Sequence, residues 1–115
     1  MKEFHKVNLL NDFYGSLLTE RQQNFIELYY GEDLSLGEIA EQYNVTRQAV
    51  HDTLKRAEQT LINYEEKLGL VAKFNEEYQS LEEVITLING YENTQDARDL
   101  LKAKEIVQLI LNKRQ

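Results

Sequence analysis

The residues best suited to a chemical role lie close together in the run TRQAVHDTLKR. Polar side chains in this run combine hydrogen-bond donors, acceptors and positive charges: Thr46, Arg47, Gln48, His51, Asp52, Lys55 and Arg56. On a helix, residues spaced three and four apart share a face, so most of these groups would point outward together. Such a face suits nucleic acid, because Arg can pair with guanine and Gln with adenine, while Thr, Lys and Arg can hold phosphates.

Individual side chains in this run also have simpler interpretations. A lone histidine such as His51 is more often an exposed surface residue than a reader of bases. Asp52 is either an ordinary surface charge or a group that selects cytosine and discourages non-specific binding. For the whole run, the alternative to a nucleic-acid interface is a helical corner whose outward polar face is only solvated.

The charge distribution gives mixed support to nucleic-acid binding. The 115 residues include 13 Lys and Arg against 20 Asp and Glu, a formal net charge of −7, whereas nucleic-acid-binding domains are usually basic. Between Arg47 and Arg56, however, three basic residues accompany one acidic residue, Asp52. The sequence therefore predicts a small positive patch on an acidic body, and weak or selective binding.

No pattern in the chain indicates catalysis. There is no cysteine, and the two histidines, His5 and His51, lie in different segments, so neither a thiolate nor a histidine metal cluster is expected. A glycine-rich phosphate loop and a nucleophile motif are also missing. Adjacent acids such as Glu65 and Glu66 point in different directions around a helix. We expect a non-enzymatic protein with no catalytic residue, no metal site and no cofactor.

A helix-turn-helix would position the polar run. Ser35 and Glu38 form a capping box that begins a short helix, and Thr46 caps the helix that carries the run. The motif needs a small residue where the helices cross, a turn residue that accepts a left-handed conformation, and apolar side chains on both sides. The sequence supplies these as Ala40, Asn44, Val45 and Val50.

Helices are also predicted before this motif, since the chain has no proline and few glycines. Apolar residues at helical spacing predict a helix over residues 4–18, with Phe13 or Tyr14 facing the core. A capping box of Thr19 and Gln22 begins the next helix, and Gly31 is expected to end it in a left-handed turn.

After the motif, two more helices are predicted. Residues 70–90 carry apolar side chains at helical spacing, and Gly90 with the following ENTQD predicts a turn. Thr94 or Asp96 would cap a last helix. The predicted fold class is all-α, with a helix-turn-helix, a long second helix and a C-terminal helical hairpin.

The second helix of the motif is predicted to continue to about Leu68 as a stem. Its apolar residues recur at intervals of three and four, as in helices that pack lengthwise: Leu54, Ala57, Leu61, Tyr64 and Leu68. We predict that this seam joins two chains in a homodimer; the alternative is packing against the hairpin of the same chain. The predicted domains are residues 1–68, with the motif and stem, and residues 69–115, a hairpin that serves association.

The run LLTERQQNFIELYYGEDLSLGEIAEQYNVTRQAVHDTLKRAEQTL resembles the region-four helix-turn-helix of bacterial sigma factors. With NLLNDFYGSLL before it and INYEEKL after it, the chain is more similar to the YlxM-like family of small helix-turn-helix proteins encoded beside signal-recognition-particle genes. The close resemblance covers about residues 8–68. Sigma-like readers are richer in Arg and Lys along the second helix than this chain is.

The resemblance implies a cytoplasmic, non-enzymatic DNA-binding regulator that takes part in the signal recognition particle pathway. The alternative that it leaves open is an accessory protein that binds the RNA or the protein subunits of the particle without reading DNA sequence. DNA is the favoured nucleic acid, and no membrane span is predicted, because no apolar run approaches ~20 residues.

Overall fold

A computed structural model describes residues 4–113, and every regular element in that part of the chain is helical. The six α-helices are α1 (Phe4–Tyr14), α2 (Glu20–Ile26), α3 (Leu36–Tyr43), α4 (Arg47–Leu68), α5 (Leu70–Thr94) and α6 (Ala97–Lys113). A 3-10 turn, Gly15–Leu17, follows α1, and a π-helical turn, Glu27–Gly31, extends α2. The all-α prediction is confirmed, including the helix-turn-helix, its long second helix and the C-terminal pair of helices. None of the described helices is long and apolar enough to cross a membrane.

The chain divides into two compact units, Met1–Val71 and Ala72–Gln115. In the first unit, α1 to α4 enclose a core whose most deeply buried large side chains are Tyr14, Phe25, Ile26, Ile39, Val50 and Leu61. Burial of a side chain of this size contributes roughly 1.5–3 kcal/mol to folding. This core fixes the orientation of α3 and α4 within the first unit.

Capping boxes begin α2 and α3, as predicted. The Thr19 hydroxyl accepts a hydrogen bond from the Gln22 amide at 3.2 Å, and the Gln22 side chain accepts one from the Thr19 amide at 3.1 Å. Ser35 and Glu38 repeat this exchange at 3.1 and 2.9 Å. Each box satisfies amides that have no partner inside the first turn of a helix, so both helix starts are set by local sequence.

The loop before α3 differs from the prediction. Gly31 is the last residue of the π-helical turn, and the left-handed conformation belongs to Asp33, at φ 59°. The Leu34 amide donates to the Leu28 carbonyl at 3.0 Å, which closes the loop two residues later than expected. Asp tolerates this conformation better than most residues with a side chain, so glycine is not needed there.

The turn of the C-terminal hairpin also lies later than predicted. Helix α5 continues through Gly90 to Thr94, and Gln95 takes the left-handed conformation at φ 58°. A Cβ atom on Gly90 would lie 3.2 Å from Asp99 Oδ2, so this glycine permits a close approach of α6. Asp96 caps α6, since its Oδ1 accepts a hydrogen bond from the Arg98 amide at 3.0 Å.

The end of α4 is tied to α1. Of the two candidates for the core, Tyr14 is buried, and its hydroxyl donates to Glu65 Oε1 at 2.5 Å and accepts from the Leu70 amide at 3.1 Å. Burial raises the pKa of Tyr14, and the hydrogen bond to Glu65 raises it further. Gly69 ends α4 in the left-handed conformation, at φ 63°, which glycine adopts without steric cost.

The apolar seam of α4 differs from its predicted role. Leu54, Ala57 and Leu61 are at most 3% exposed, in the same core as residues of α1 and α2. When the first unit is folded, these three side chains are therefore too deeply buried to contact a second chain. Tyr64 stacks on Tyr14 with ring centroids 5.9 Å apart, and Leu68 is 55% exposed; for these two residues, association stays a prediction.

The second unit is an antiparallel pair formed by α5 and α6. Lys113, at the end of α6, donates to Glu76 Oε1 near the start of α5 at 2.7 Å. Among the described residues of this unit, Val84 and Ala103 are the two that are buried. The pair therefore has a very small core of its own.

Candidate nucleic-acid interface

The turn between α3 and α4 has the predicted geometry. Asn44 is left-handed, at φ 53° and ψ 49°, and the Val45 amide donates to the Ala40 carbonyl at 3.0 Å. The Thr46 hydroxyl then accepts a hydrogen bond from the Ala49 amide at 3.0 Å and caps α4. A short polar segment thus ends one helix and begins the next at a defined angle.

Small and apolar side chains hold α3 against α4. Ala40 is 5% exposed, and Ile39 and Val50 are fully buried. Because Ala40 carries a single methyl group, the two helices can approach closely at this point. The buried position of Val50 turns the opposite side of α4 toward solvent.

The outward side of α4 presents Gln48, Asp52 and Lys55. Gln48 Nε2 donates to Asp52 Oδ1 at 2.8 Å, one helical turn away. Gln48 and Lys55 are exposed, while Asp52 is half-buried. The polar face therefore contains an amide–carboxylate pair at its centre with a lysine beside it.

Three basic side chains surround this pair. Arg47, Lys55 and Arg56 are exposed, and within residues 4–113 none of them forms a salt bridge. Arg56 Nε donates weakly to the Asp52 carbonyl, at 3.5 Å. The first amides of α4 add partial positive charge, since the start of a helix leaves N–H groups without helical partners. Together these groups can bind phosphate oxygens or the acceptor edges of bases.

Arg47 lies against α3. A Cβ atom on Gly37 would be 3.8 Å from both Cδ and Nε of Arg47. The absence of a side chain on Gly37 thus leaves room for the stem of Arg47 across the first turn of α3. The sequence pattern did not indicate this contact between Gly37 and Arg47, because it depends on tertiary structure.

His51 is set apart from the outward face. Its side chain is 37% exposed and lines a small cavity with Tyr29, Leu36 and Glu58. Its Nδ1 lies 3.5 Å from Asp52 Oδ1 and makes no hydrogen bond among the described residues. The structure thus brings Gln48, Asp52 and Lys55 together and places His51 on the flank that faces α3 and the π-helical turn after α2.

Arg21 is a basic residue beside the turn that the sequence pattern did not indicate. Its guanidinium lies 5.5 Å from the centroid of the Tyr43 ring and 5.9 Å from that of Phe25. The two rings meet edge to face at 4.8 Å. Arg21 and Phe25 are four residues apart on α2, a spacing that could have suggested their contact; the contact with Tyr43 could not be foreseen. Arg21 adds positive charge next to the α3–α4 turn.

Comparison with known proteins identifies the family of the chain. A family model described as "Putative helix-turn-helix protein, YlxM / p13 like" matches residues 1–108. The chain belongs to this YlxM-like family. The resemblance predicted from about residues 8–68 is confirmed, and the match includes most of the C-terminal hairpin as well.

Relatives in this family match the chain over most of its length. The "UPF0122 protein" of Desulforamulus reducens is 77% identical over 115 residues, which is 100% of this chain and 98% of the relative. YlxM of Bacillus subtilis is 46% identical over 100 residues, 87% of this chain and 91% of the relative. A relative from Halalkalibacterium halodurans is 43% identical over 103 residues, 90% of this chain and 94% of the relative.

Proposed function

We propose that this protein is a non-enzymatic regulator that binds duplex DNA through the first turns of α4. The observation that carries the proposal is the group of three exposed basic side chains at the start of a capped helix, Arg47, Lys55 and Arg56, which form no salt bridge with any residue in the range 4–113. In helix-turn-helix proteins this part of the second helix enters the major groove. The likeness of the motif to sigma region four supports duplex DNA as the ligand.

The position of each side chain on or beside α4 suggests which part of the DNA it would contact. Arg47 can donate two hydrogen bonds to guanine, and Lys55, Arg56 and Thr46 can hold phosphates on either side of the groove. His51 lies on the flank of α4, where it would meet the edge of the groove. We include Arg21 as a further phosphate contact, because its charge lies beside the turn.

Asp52 makes binding selective. Its carboxylate repels phosphates, and it already accepts a hydrogen bond from Gln48. Gln48 must leave Asp52 to contact adenine, whereas Asp52 can accept a hydrogen bond from the amino group of cytosine. Sites that satisfy one of these groups are therefore favoured, and random DNA is bound weakly.

Selection from genomic DNA tests the proposal. Fragments would be incubated with the protein at low salt, recovered and sequenced over several rounds. Enrichment of a common motif is expected, and it should disappear for Arg47→Ala. Arg98→Ala removes an arginine from the second unit, where it pairs with Asp96 at 2.9 Å, and serves as the matched control. Recovery of no fragment above background at low salt would contradict DNA binding.

The acidic remainder of the chain supports a second candidate, an accessory role in the signal recognition particle pathway in the cytoplasm. A net charge of −7 suits a basic protein partner, and the positive patch on α4 suits the phosphates of RNA. Purification of the particle and its receptor with and without nuclease tests this role. Co-purification that survives nuclease treatment supports a protein contact, and loss of the complex supports RNA. Absence from both preparations counts against the candidate.

A further inference from the structure

The second unit exposes a continuous strip of large apolar side chains along α5. Phe74, Tyr78, Leu81 and Ile85 are spaced by four, three and four residues, the repeat of a helix that packs lengthwise against another helix. Their side chains are 45–58% exposed. The solvent-facing side of a helix usually carries polar and charged residues, so this apolar strip is suited to contact with another helix.

A second strip follows α6. Leu100, Val107 and Leu111 are separated by seven and four residues, so they also share one face of their helix. They are 36–56% exposed. Each strip lies next to the buried contact between the two helices, which Val84 provides on α5 and Ala103 on α6.

Both strips lie on the same side of the hairpin. With 3.6 residues per turn, each strip is displaced by roughly 40–120° from the buried residue of its helix, in the same rotational sense along the chain. The helices run antiparallel, as the contact of Lys113 with Glu76 shows. In an antiparallel pair the same sense of rotation places the two strips side by side. They form one surface, called here the hairpin face: Phe74, Tyr78, Leu81, Ile85, Leu100, Val107 and Leu111.

Three features of the second unit favour association with a partner. It approaches the ~40-residue size below which domains usually depend on disulfides, metals or association. The chain has no cysteine, and the described residues contain no group of three metal-binding side chains. Two buried side chains, Val84 and Ala103, provide little apolar burial. Association through the hairpin face would supply apolar burial that this unit lacks.

We propose that the partner is the hairpin face of a second copy of this chain, so that two hairpins form a four-helix bundle. The seven side chains of the hairpin face carry no charge, so they add no repulsion between two identical faces, although each chain carries a net charge of −7. A basic partner would instead be matched by carboxylates. Seven half-exposed large side chains offer several hundred Å², which approaches the ~800 Å² per partner of a standard interface. Two-fold pairing is the commonest form of assembly between identical chains.

A groove on the hairpin face could receive side chains of the second copy. Tyr78, Leu81 and Ile85 line it, with Glu82 and Thr86 at the edge. In a four-helix bundle, apolar side chains of one hairpin insert between those of the other. The groove lies along the part of the α5 strip that runs from Tyr78 to Ile85, so such insertion would bury these apolar side chains.

Sedimentation equilibrium over a range of protein concentrations tests this proposal. The wild type is expected at twice the 13.5 kDa of one chain, and Leu81→Ala should raise the dissociation constant roughly 10- to 100-fold, since the substitution occurs twice in a symmetric dimer. Leu109→Ala is the matched control, because Leu109 is 61% exposed on another side of α6. Alanine favours helix at both positions, so each variant should retain its secondary structure.

In sedimentation, either of two results would overturn the proposal: a wild type that stays monomeric over a 100-fold range of concentration, or a dimer whose dissociation constant Leu81→Ala leaves unchanged. Hydrogen exchange of α5 and α6 gives a second readout. Protection that rises with protein concentration supports association, and protection that is independent of concentration contradicts it. The proposal goes beyond the proposed function and does not depend on it, because both measurements are made without DNA.

Discussion

Asp52 should weaken the attraction of the positive patch on α4 for phosphates, because it is a carboxylate among basic side chains. Its oxygen accepts from Gln48 at 2.8 Å, so the charge is held at the centre of the outward face. Two unit charges 4 Å apart near a protein surface interact by about 4 kcal/mol at an effective dielectric constant of 20, and by about 1 kcal/mol in water. Even at the lower limit, this residue should influence affinity for DNA.

Substitution of Asp52 tests this role. Asp52→Asn retains an acceptor for Gln48 and removes the negative charge, so affinity for random DNA at low salt should rise roughly 3- to 10-fold. Glu92→Gln removes an exposed carboxylate from α5 and should leave affinity unchanged. Fluorescence anisotropy with a labelled duplex measures both. Equal affinities for wild type and Asp52→Asn would contradict a restraining role for Asp52.

Glu38 gives a pH-dependent contribution to the stability of α3. Hydrogen bonds from the Ser35 amide and then the Ser35 hydroxyl hold the pKa of Glu38 below its ordinary value of 4.5. Because the pKa is lowered in the folded state, the contribution is complete above pH 4.5 and is lost as pH falls through the lowered pKa.

The comparison of Glu38→Gln with wild type tests the direction of this effect. Gln can occupy the capping box but does not titrate, so the variant should lose less stability than wild type as pH falls below 4.5. Urea unfolding at a series of pH values measures the difference. Glu41→Gln, on the same helix but outside the box, controls for net charge. A parallel loss of stability in wild type and Glu38→Gln would contradict the assignment.

At the scale of elements, the α3–α4 turn depends on Asn44. Its φ of 53° is left-handed, a conformation that costs most residues with a Cβ atom roughly 1–2 kcal/mol. Asn adopts this conformation more readily than most residues with a side chain, and Gly adopts it without steric cost. Position 44 should therefore accept Gly with little loss of stability, whereas most other residues should destabilise the turn between α3 and α4.

Substitutions at Asn44 give a matched pair. Asn44→Ala should lower the free energy of unfolding by about 1 kcal/mol, while Asn44→Gly should change it by a few tenths. Chemical denaturation followed by circular dichroism measures both values. If the two variants proved equally stable, the left-handed turn would not be the feature that Asn44 supplies.

Elements governed by short-range chemistry could be predicted from the sequence. The Ser35–Glu38 box and the Thr46 cap need partners only three residues away, and they define α3 and the start of α4 within a residue. The positive patch on α4 followed from the same local information. Asp33 was missed because the preceding helix ends in a π-helical turn, which the apolar pattern does not distinguish from an α-helical one.

Contacts between distant residues could not be predicted. Tyr14 and Glu65 are 51 positions apart, and their hydrogen bond forms only when α1 packs against α4. The burial of Leu61 follows from the same packing: its heptad spacing predicted a helical partner, but the spacing is equally compatible with α1 and with another chain. Gly90 was predicted to be a turn residue because its close approach to Asp99 exists only in the folded hairpin and leaves no local signal in the sequence.

For the whole molecule, the two units have different surfaces. The first unit carries the outward basic residues of α4, and the second carries the hairpin face. A dimer formed through the hairpin face would hold two copies of the first unit in one particle. Helix-turn-helix dimers bind two half-sites related by symmetry, so a motif enriched from genomic DNA should be palindromic if both proposals hold.

The salt dependence of DNA binding is the decisive measurement, because it reports how many phosphates α4 neutralises. The logarithm of affinity should fall linearly with the logarithm of salt concentration, and each lost phosphate contact should reduce the slope by about 0.9. The double variant with Lys55→Gln and Arg56→Gln should therefore reduce the slope by about 1.8. Lys67→Gln with Lys73→Gln removes the same charge beyond the first turns of α4 and should leave the slope unchanged. A wild type that binds no duplex at low salt, or equal slopes in the two double variants, would contradict the claim that the start of α4 binds DNA.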